Sequence, residues 1–207
     1  MFQRLHVHPD NPQARLLKHA ADALQRGGVV AMPTDACFAL VWAIAARGAL
    51  ERVRAIRQLD DRHLMTLVCR DLSELSRFAQ VDTLQFRLIK RSVPGPFTFI
   101  LPATREVPRR LQQASRRTIG VRLPDSEVVT SLLTMHGEPV LATTLQLPGD
   151  EHPLSDCDEI EARLGKRIDA LIDTGVSGIE PTTVIDLTAS EPRVVRLGLG
   201  QADLGSR

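Results

Sequence analysis

The chain reads as a three-layer α/β architecture built around a mixed sheet, and three observations predict it. Short apolar runs of strand type alternate with amphipathic helical segments from end to end. The 207 residues are ample for a core that needs no disulfide or metal staple. No repeat, low-complexity tract or Pro/Gly-rich linker divides them, so residues 1–207 are read as a single domain.

The elements follow in order. Asn11 is placed to cap a helix with Pro12 in its first turn, Leu16, Leu17, Ala20 and Leu24 as its buried face, and Gly27-Gly28 as its stop. A strand at Val29 to Met32 leads into Pro33-Thr34-Asp35 and a second strand through Phe38 to Val41. Ala49 to Gln58 has Leu50, Val53 and Ile56 on one helical face and arginines on the other. Leu64 to Val68 reads as a strand, and Leu72 to Phe78 (capped from Asp71) and Leu84 to Arg91 as helices. Strands at Phe97 to Leu101 and Thr118 to Leu123 flank a short helix near Arg109. Glu127 to Met135 is a helix, Val140 to Thr143 a strand, and Ile160 to Leu164 the centre of an acidic helix. Strands at Ala170 to Ile172, Val184 to Leu187 and Val194 to Arg196 close the chain. His6 and His8 alternate in a further possible strand; surface histidines fit them better than metal ligands.

Composition narrows the class. Apolar content of 43% and charge of 25% are those of an ordinary soluble globular protein. No apolar run approaches the roughly 18 residues of a membrane-spanning helix. The start, MFQRLHVHPDNPQ, lacks the apolar core of a secretion signal. Cys37, Cys69 and Cys157 are odd in number and lack CxxC spacing, which fits free thiols in a reducing cytoplasm and argues against zinc. Cys37 is open to a catalytic reading, but a small buried apolar residue is the simpler one.

Charge is concentrated rather than general. The chain has 26 Lys+Arg against 25 Asp+Glu, yet Lys90 to Pro124 holds Lys90, Arg91, Arg105, Arg109, Arg110, Arg116, Arg117 and Arg122 against Glu106 alone. A basic segment threaded through buried strands points to a site for a multiply charged anion, a nucleotide or an RNA backbone; a solvated basic loop is the alternative. Four polar strand ends are the places for chemistry. They are Met32-Pro33-Thr34-Asp35, Gly120-Val121-Arg122-Leu123-Pro124, Thr143-Thr144-Leu145-Gln146 and Pro181-Thr182-Thr183-Val184. In the second, Val121 and Leu123 face away from Arg122, so that cation enters a cleft, pairs with an acid or meets solvent. Neither GxxxxGK[ST] nor GxGxxG occurs.

Taken in order, MPTDACFAL (Met32 to Leu40), PGPFTFIL (Pro94 to Leu101), TIGVRLPD (Thr118 to Asp125), LATTLQLPG (Leu141 to Gly149) and PTTVIDL (Pro181 to Leu187) resemble the YrdC-like family, which includes threonylcarbamoyl-AMP synthases. HPDNPQ, IRQL and CRDLSELS are more similar to its YciO branch. The resemblance implies a twisted mixed sheet flanked by helices, with a large positive cavity. It further implies synthesis of threonylcarbamoyl-AMP and pyrophosphate from L-threonine, bicarbonate and ATP with Mg2+, for tRNA modification. By the same resemblance Thr34 lies at the amino-acid site, Arg122 near the anionic ligand, and Thr144 beside the phosphates and their magnesium; Thr143, next to it at the same strand end, is a further nucleotide-binding candidate. Thr183 and Arg196 fall in matching strand and turn positions of the nucleotide site.

Two departures qualify it. The synthases' Lys-x-Arg pair is absent from RVRAIRQLDDRHLM, where Arg54 and Arg57, three apart on one helical face, stand in its place. Their Ser-x-Asn becomes Thr144-Leu145-Gln146, with an amide one methylene longer, which predicts weak or altered synthase activity. The alternative function is a double-stranded RNA or tRNA-binding paralogue without synthesis, touching phosphates through Arg109, Arg110, Arg116 and Arg117. Aromatic content of 3% with no tyrosine argues against base stacking on single strands. A nucleotide hydrolase or carbamoyl transferase using the same cavity is the third reading.

Overall fold

The computed structural model describes residues 1–60, 63–113 and 116–201. In chain order the elements are β1 (Gln3–His6), α1 (Ala14–Gln25), β2 (Val29–Met32), β3 (Ala39–Ala43), α2 (Arg47–Arg57) and β4 (Thr66–Val68). Then come α3 (Leu72–Phe78), α4 (Thr83–Ser92), β5 (Phe97–Pro102), a 3-10 turn at Arg109–Leu111, β6 (Thr118–Arg122) and α5 (Glu127–His136). The chain continues through β7 (Val140–Thr144), α6 (Cys157–Leu164), β8 (Ala170–Asp173), β9 (Thr183–Asp186) and β10 (Arg193–Arg196).

All ten strands join one mixed sheet in the order β1-β8-β2-β3-β7-β4-β6-β5-β9-β10. The pairs β1–β8, β2–β8, β4–β6 and β5–β9 are parallel and the rest antiparallel. Period-2 alternation gives the sheet two distinct faces. One carries Val29, Leu40, Leu67, Phe99, Val121 and Ile185, and is covered by α2, α3, α4 and α6 through residues such as Val53, Leu75, Ile89 and Ile160. The other carries Val30, Val41, Val68, Val140 and Ile172, and is covered by α1 and α5 through Leu17, Leu24, Val129 and Leu132.

That second cover is partial, and the site depends on it. Its apolar cluster draws on β1, β8, β2, β3, β7 and β4 and stops there. Beyond, on the same face, β6, β5 and β9 present Gly120, Arg122, Thr98, Ile100 and Val184, held side by side by the register Thr66↔Gly120, Gly120↔Ile100 and Thr98↔Val184. Half of the face is therefore packed by helices and half is polar.

Several local expectations are corrected. Helix α1 begins at Ala14 and its N-cap is Gln13, without a side-chain cap. Asn11 and Asp10 instead donate their backbone N–H groups to His8 Nδ1, at 3.1 and 3.2 Å, which draws them into a turn before the helix. The second strand starts at Ala39, after Phe38, and β4 starts only at Thr66. The other cap signals hold: Asp71 accepts from Glu74 N, and Gly27, at φ +77°, ends α1.

Candidate functional site

A cavity of about 360 Å³ opens on the polar half of the face. Two features of the backbone set the strands around it. Thr143 and Thr144 overhang the late start of β4, because Ala142 already pairs with Thr66. Gly120 lets β6 lie close against β4: a Cβ there would lie 2.8 Å from Thr66 Oγ1 and 3.2 Å from Met65 O.

The basic side chains of the lining are those of Arg57, Arg122, Arg196 and His63, and among the described residues no carboxylate lines the cavity. Arg122, the last residue of β6, is 7% exposed. Its Nη2 donates to Asp35 and, at 3.2 Å, to Thr34 Oγ1. Burial pulls its pKa down while Asp35 opposes, and Asp35 is itself held by Asp125 N–H at 3.1 Å. A buried charge needs such a partner. Arg122 Nε makes no hydrogen bond within the described chain, nor does Arg57 Nε.

Arg196 donates from Nη2 to Thr182 O at 2.8 Å and to Thr182 Oγ1 at 3.2 Å, and Thr182 Oγ1 lies 2.9 Å from Thr98 Oγ1. Burial lowers the Arg196 pKa, Cys37 opposes, and Arg122 adds to the lowering. Arg122 and Arg196 are thus like charges that face one space. Arg57 ends α2 and enters the cavity, its pKa lowered by burial with Cys37 opposing.

Residues picked from the sequence separate into groups. Arg57, Arg122, Thr143, Thr144, Gln146 and Arg196 line the cavity together. Thr34 does not: it donates to Cys37 O at 2.7 Å and accepts from Arg122, bracing that guanidinium from behind. Arg54, one turn before Arg57, lies 3.5 Å from Glu51 and outside the lining. Thr183 is corrected by the strand's phase. It is fully buried, donating to Gly200 O at 2.6 Å and accepting from Gly198 N at 3.0 Å, and its neighbour Thr182 faces the cavity. Gln146 folds back, with Nε2 donating to Asp150 O at 2.9 Å and Glu151 O at 3.2 Å.

The loop cations stand apart from the cavity. Arg109, Arg110, Arg116 and Arg117 are exposed. Arg116 pairs with Asp186 at 3.3 Å and Arg110 donates to Ile44 O at 2.9 Å. Of the cations in the basic segment, only Arg122 lines the cavity.

One lining residue escaped the sequence reading. His63 sits in the loop before β4 with Nε2 3.4 Å from Thr143 Oγ1. Burial lowers its pKa first, then Arg57, with Asp60 opposing and Arg196 and Arg54 adding. Its place in RVRAIRQLDDRHLM, between the arginine pair and a strand, was the available signal. Cys37 also lines the cavity, and burial raises its pKa, so it is a protonated thiol rather than a thiolate nucleophile. The lining offers hydroxyls, an amide and guanidinium groups. A magnesium held by protein carboxylates does not fit that set, and among the described residues no cluster of three or more His, Cys, Asp or Glu could hold a metal.

A family model, Sua5/yciO/yrdC, described as "Telomere recombination", matches residues 22–198. The chain belongs to the Sua5/YciO/YrdC family. Within this family it is 51% identical over 200 residues to YciO of Escherichia coli K12, covering 97% of each chain. It is 31% identical over 172 residues to the threonylcarbamoyl-AMP synthase of Halorhodospira halophila, covering 82% of this chain and 89% of that one. The crystal structure of E. coli YciO superposes with a TM-score of 0.95 at 50% identity, over 99% of both chains. Sua5 of P. abyssi, solved in complex with L-threonine, has the same fold: TM-score 0.85 at 23% identity, over 96% of this chain and 57% of that one.

Proposed function

We propose that this cavity binds an adenine nucleotide beside L-threonine and makes threonylcarbamoyl-AMP from them and bicarbonate, with weaker turnover than a true synthase. The observation that carries the reading is the lining itself: Arg57, Arg122 and Arg196 face one space of about 360 Å³ that no described carboxylate shares. Its substrates all bear anionic groups and repel one another. Guanidinium groups held in a cavity, Arg122 buried and Arg57 half-buried, offset that repulsion more effectively than they would in water. The threonine hydroxyls supply further hydrogen bonds that orient phosphate oxygens, and orientation is where catalysis without a covalent nucleophile gains most. Relatives named as threonylcarbamoyl-AMP synthases, and a Sua5 crystallised with L-threonine, support this choice of substrates. The reduced turnover follows from Gln146, whose amide is spent on its own loop, and from the missing Lys-x-Arg pair, in whose place Arg54 and Arg57 stand.

The deciding assay is pyrophosphate release from ATP that requires both threonine and bicarbonate. Release from ATP indifferent to threonine would replace this reading with a nucleotide hydrolase.

A second reading has its own observation. Arg109, Arg110 and Arg117 are exposed outside the cavity, where a duplex RNA backbone could reach them without entering the site. Steeply salt-dependent binding of double-stranded RNA, unaffected by nucleotide, would favour it. On either reading the protein works in the cytoplasm.

A further inference from the structure

The cavity is well made for holding charge, yet almost nothing in its lining can take up a proton near neutral pH. The guanidinium groups are already protonated and donate only. Threonine hydroxyls and the Gln146 amide are not basic, and Cys37 keeps its proton through burial. His63 is the exception among the described lining residues.

Its position suits the task. The loop holds it through its own N–H, which donates to Asp60 O at 3.2 Å, and through Thr143 Oγ1, 3.4 Å from Nε2. The charged groups that face it are Arg57 and Arg54 from α2, Asp60 on the same loop, and Arg196 from β10. Burial first and then Arg57 favour the neutral imidazole; Asp60 opposes them, and Arg196 and Arg54 add smaller lowering contributions. A neutral imidazole beside cations is a base whose proton, once gained, is offset by bound anions.

We infer that His63 is the proton acceptor of this cavity, taking the proton that an ammonium substrate must lose before its nitrogen can attack. The inference rests on the synthase reading. The threonine ammonium gives one proton to the imidazole, and the freed lone pair forms the bond to the bicarbonate carbon. The carbon–hydroxyl bond breaks, and the hydroxide leaves as water with the second nitrogen proton. The carbamate oxygen then attacks the α-phosphorus of ATP as the bond to pyrophosphate breaks. His63 returns its proton to solvent, and no electrons are gained or lost overall.

The experiment measures threonine-dependent pyrophosphate release at saturating substrates from about pH 5.5 to 9, in wild type, His63→Gln and His63→Ala. In wild type, kcat rises with pH and levels off once the imidazole is unprotonated. In His63→Gln, kcat falls by about 10²–10⁴-fold with KM for ATP unchanged, and the plateau disappears. Added imidazole restores part of the rate to His63→Ala, which a merely structural role would not allow. A wild-type enzyme that turns over while His63→Gln keeps its rate and profile overturns the role of His63 and leaves the synthase reading standing. A wild type that releases no pyrophosphate in response to threonine overturns that reading, and the role of His63 with it.

Discussion

Arg122 shows how a single residue carries both stability and binding. Its guanidinium is buried, paired with Asp35, braced by Thr34, and left with an unbonded Nε at a cavity wall. Arg122→Ala removes a charge-assisted hydrogen bond worth about 1.5–3 kcal/mol, so AMP affinity falls roughly ten- to a hundredfold by calorimetry. The same truncation strands Asp35, at a cost of about 3–5 kcal/mol. Pairing it with Asp35→Asn separates the two effects: thermal stability recovers and affinity does not. Equal affinity in wild type and the double variant would take Arg122 out of the site.

Gln146 makes the complementary point about geometry. Its Nε2 reaches Asp150 O and Glu151 O only because the side chain is long. Asparagine at that position is too short for both carbonyls, which frees its amide for the cavity. The variant Thr144→Ser with Gln146→Asn should therefore raise turnover and leave nucleotide affinity nearly unchanged. The gain is partial, because the lysine missing near Arg54 and Arg57 is a separate defect in the same charge cluster. No gain, even after Arg57→Lys is added, would favour the RNA-binding reading.

His63 also leaves a mark on stability. Its folded-state pKa lies below its unfolded value, so the unfolded chain binds more protons between the two. Stability is fully present above about pH 6.5 and declines as pH falls below it. His63→Gln reduces that decline in acid unfolding curves without removing it, since burial depresses His136 in the same direction, against Glu138.

At the scale of elements, most of the fold was legible and the reason is periodicity. The alternation of Phe97, Phe99 and Leu101, and of Ile119 and Val121, marked β5 and β6 before any contact was known, and put Arg122 on the opposite face. Phase was harder. Pro181-Thr182-Thr183 declares that two adjacent threonines face opposite ways but not which one meets the cavity, because a one-residue slip exchanges them. The pairing of β9 with β5, Thr98↔Val184, settles it for Thr182. Thr183 is left with Gly200 and Gly198, so Thr183→Val deprives a buried carbonyl and a backbone N–H of their partner. Such a loss costs about 1–3 kcal/mol. Denaturant unfolding should show it while AMP affinity per folded molecule stays as in wild type. A large affinity loss without destabilisation would return Thr183 to the site. His63 was illegible for a related reason: its approach to Thr143 depends on where β4 begins, which no local pattern encodes.

Across the whole molecule, the sheet divides its charge between two places that serve different partners. Arg57, Arg122 and Arg196 sit in a cavity, partly withdrawn from solvent and from counter-ions, where attraction to a small anion survives ordinary salt. Arg109, Arg110, Arg116 and Arg117 are exposed side chains between β5 and β6, where attraction is screened and matters only for a long polyanion that touches several cations at once. The overall charge of +1 gives no general attraction to nucleic acid, so any such binding must be local. Each phosphate contact contributes roughly 0.9 log units of affinity per log unit of salt on a B-form duplex, and somewhat less on single strands. Reversing these four arginines to glutamate should therefore abolish the salt slope for double-stranded RNA. Nucleotide affinity should hardly change, because none of the four lines the cavity. Arg116 and Arg110 are the ones to watch, since reversal sets a glutamate against Asp186 in one case and against the Ile44 carbonyl in the other, and adds a stability cost. Titrating duplex RNA and AMP against both proteins at several salt concentrations checks this. RNA binding that survives the reversal would move the RNA surface elsewhere, and loss of AMP binding in a still-folded variant would mean that loop and cavity act as one site.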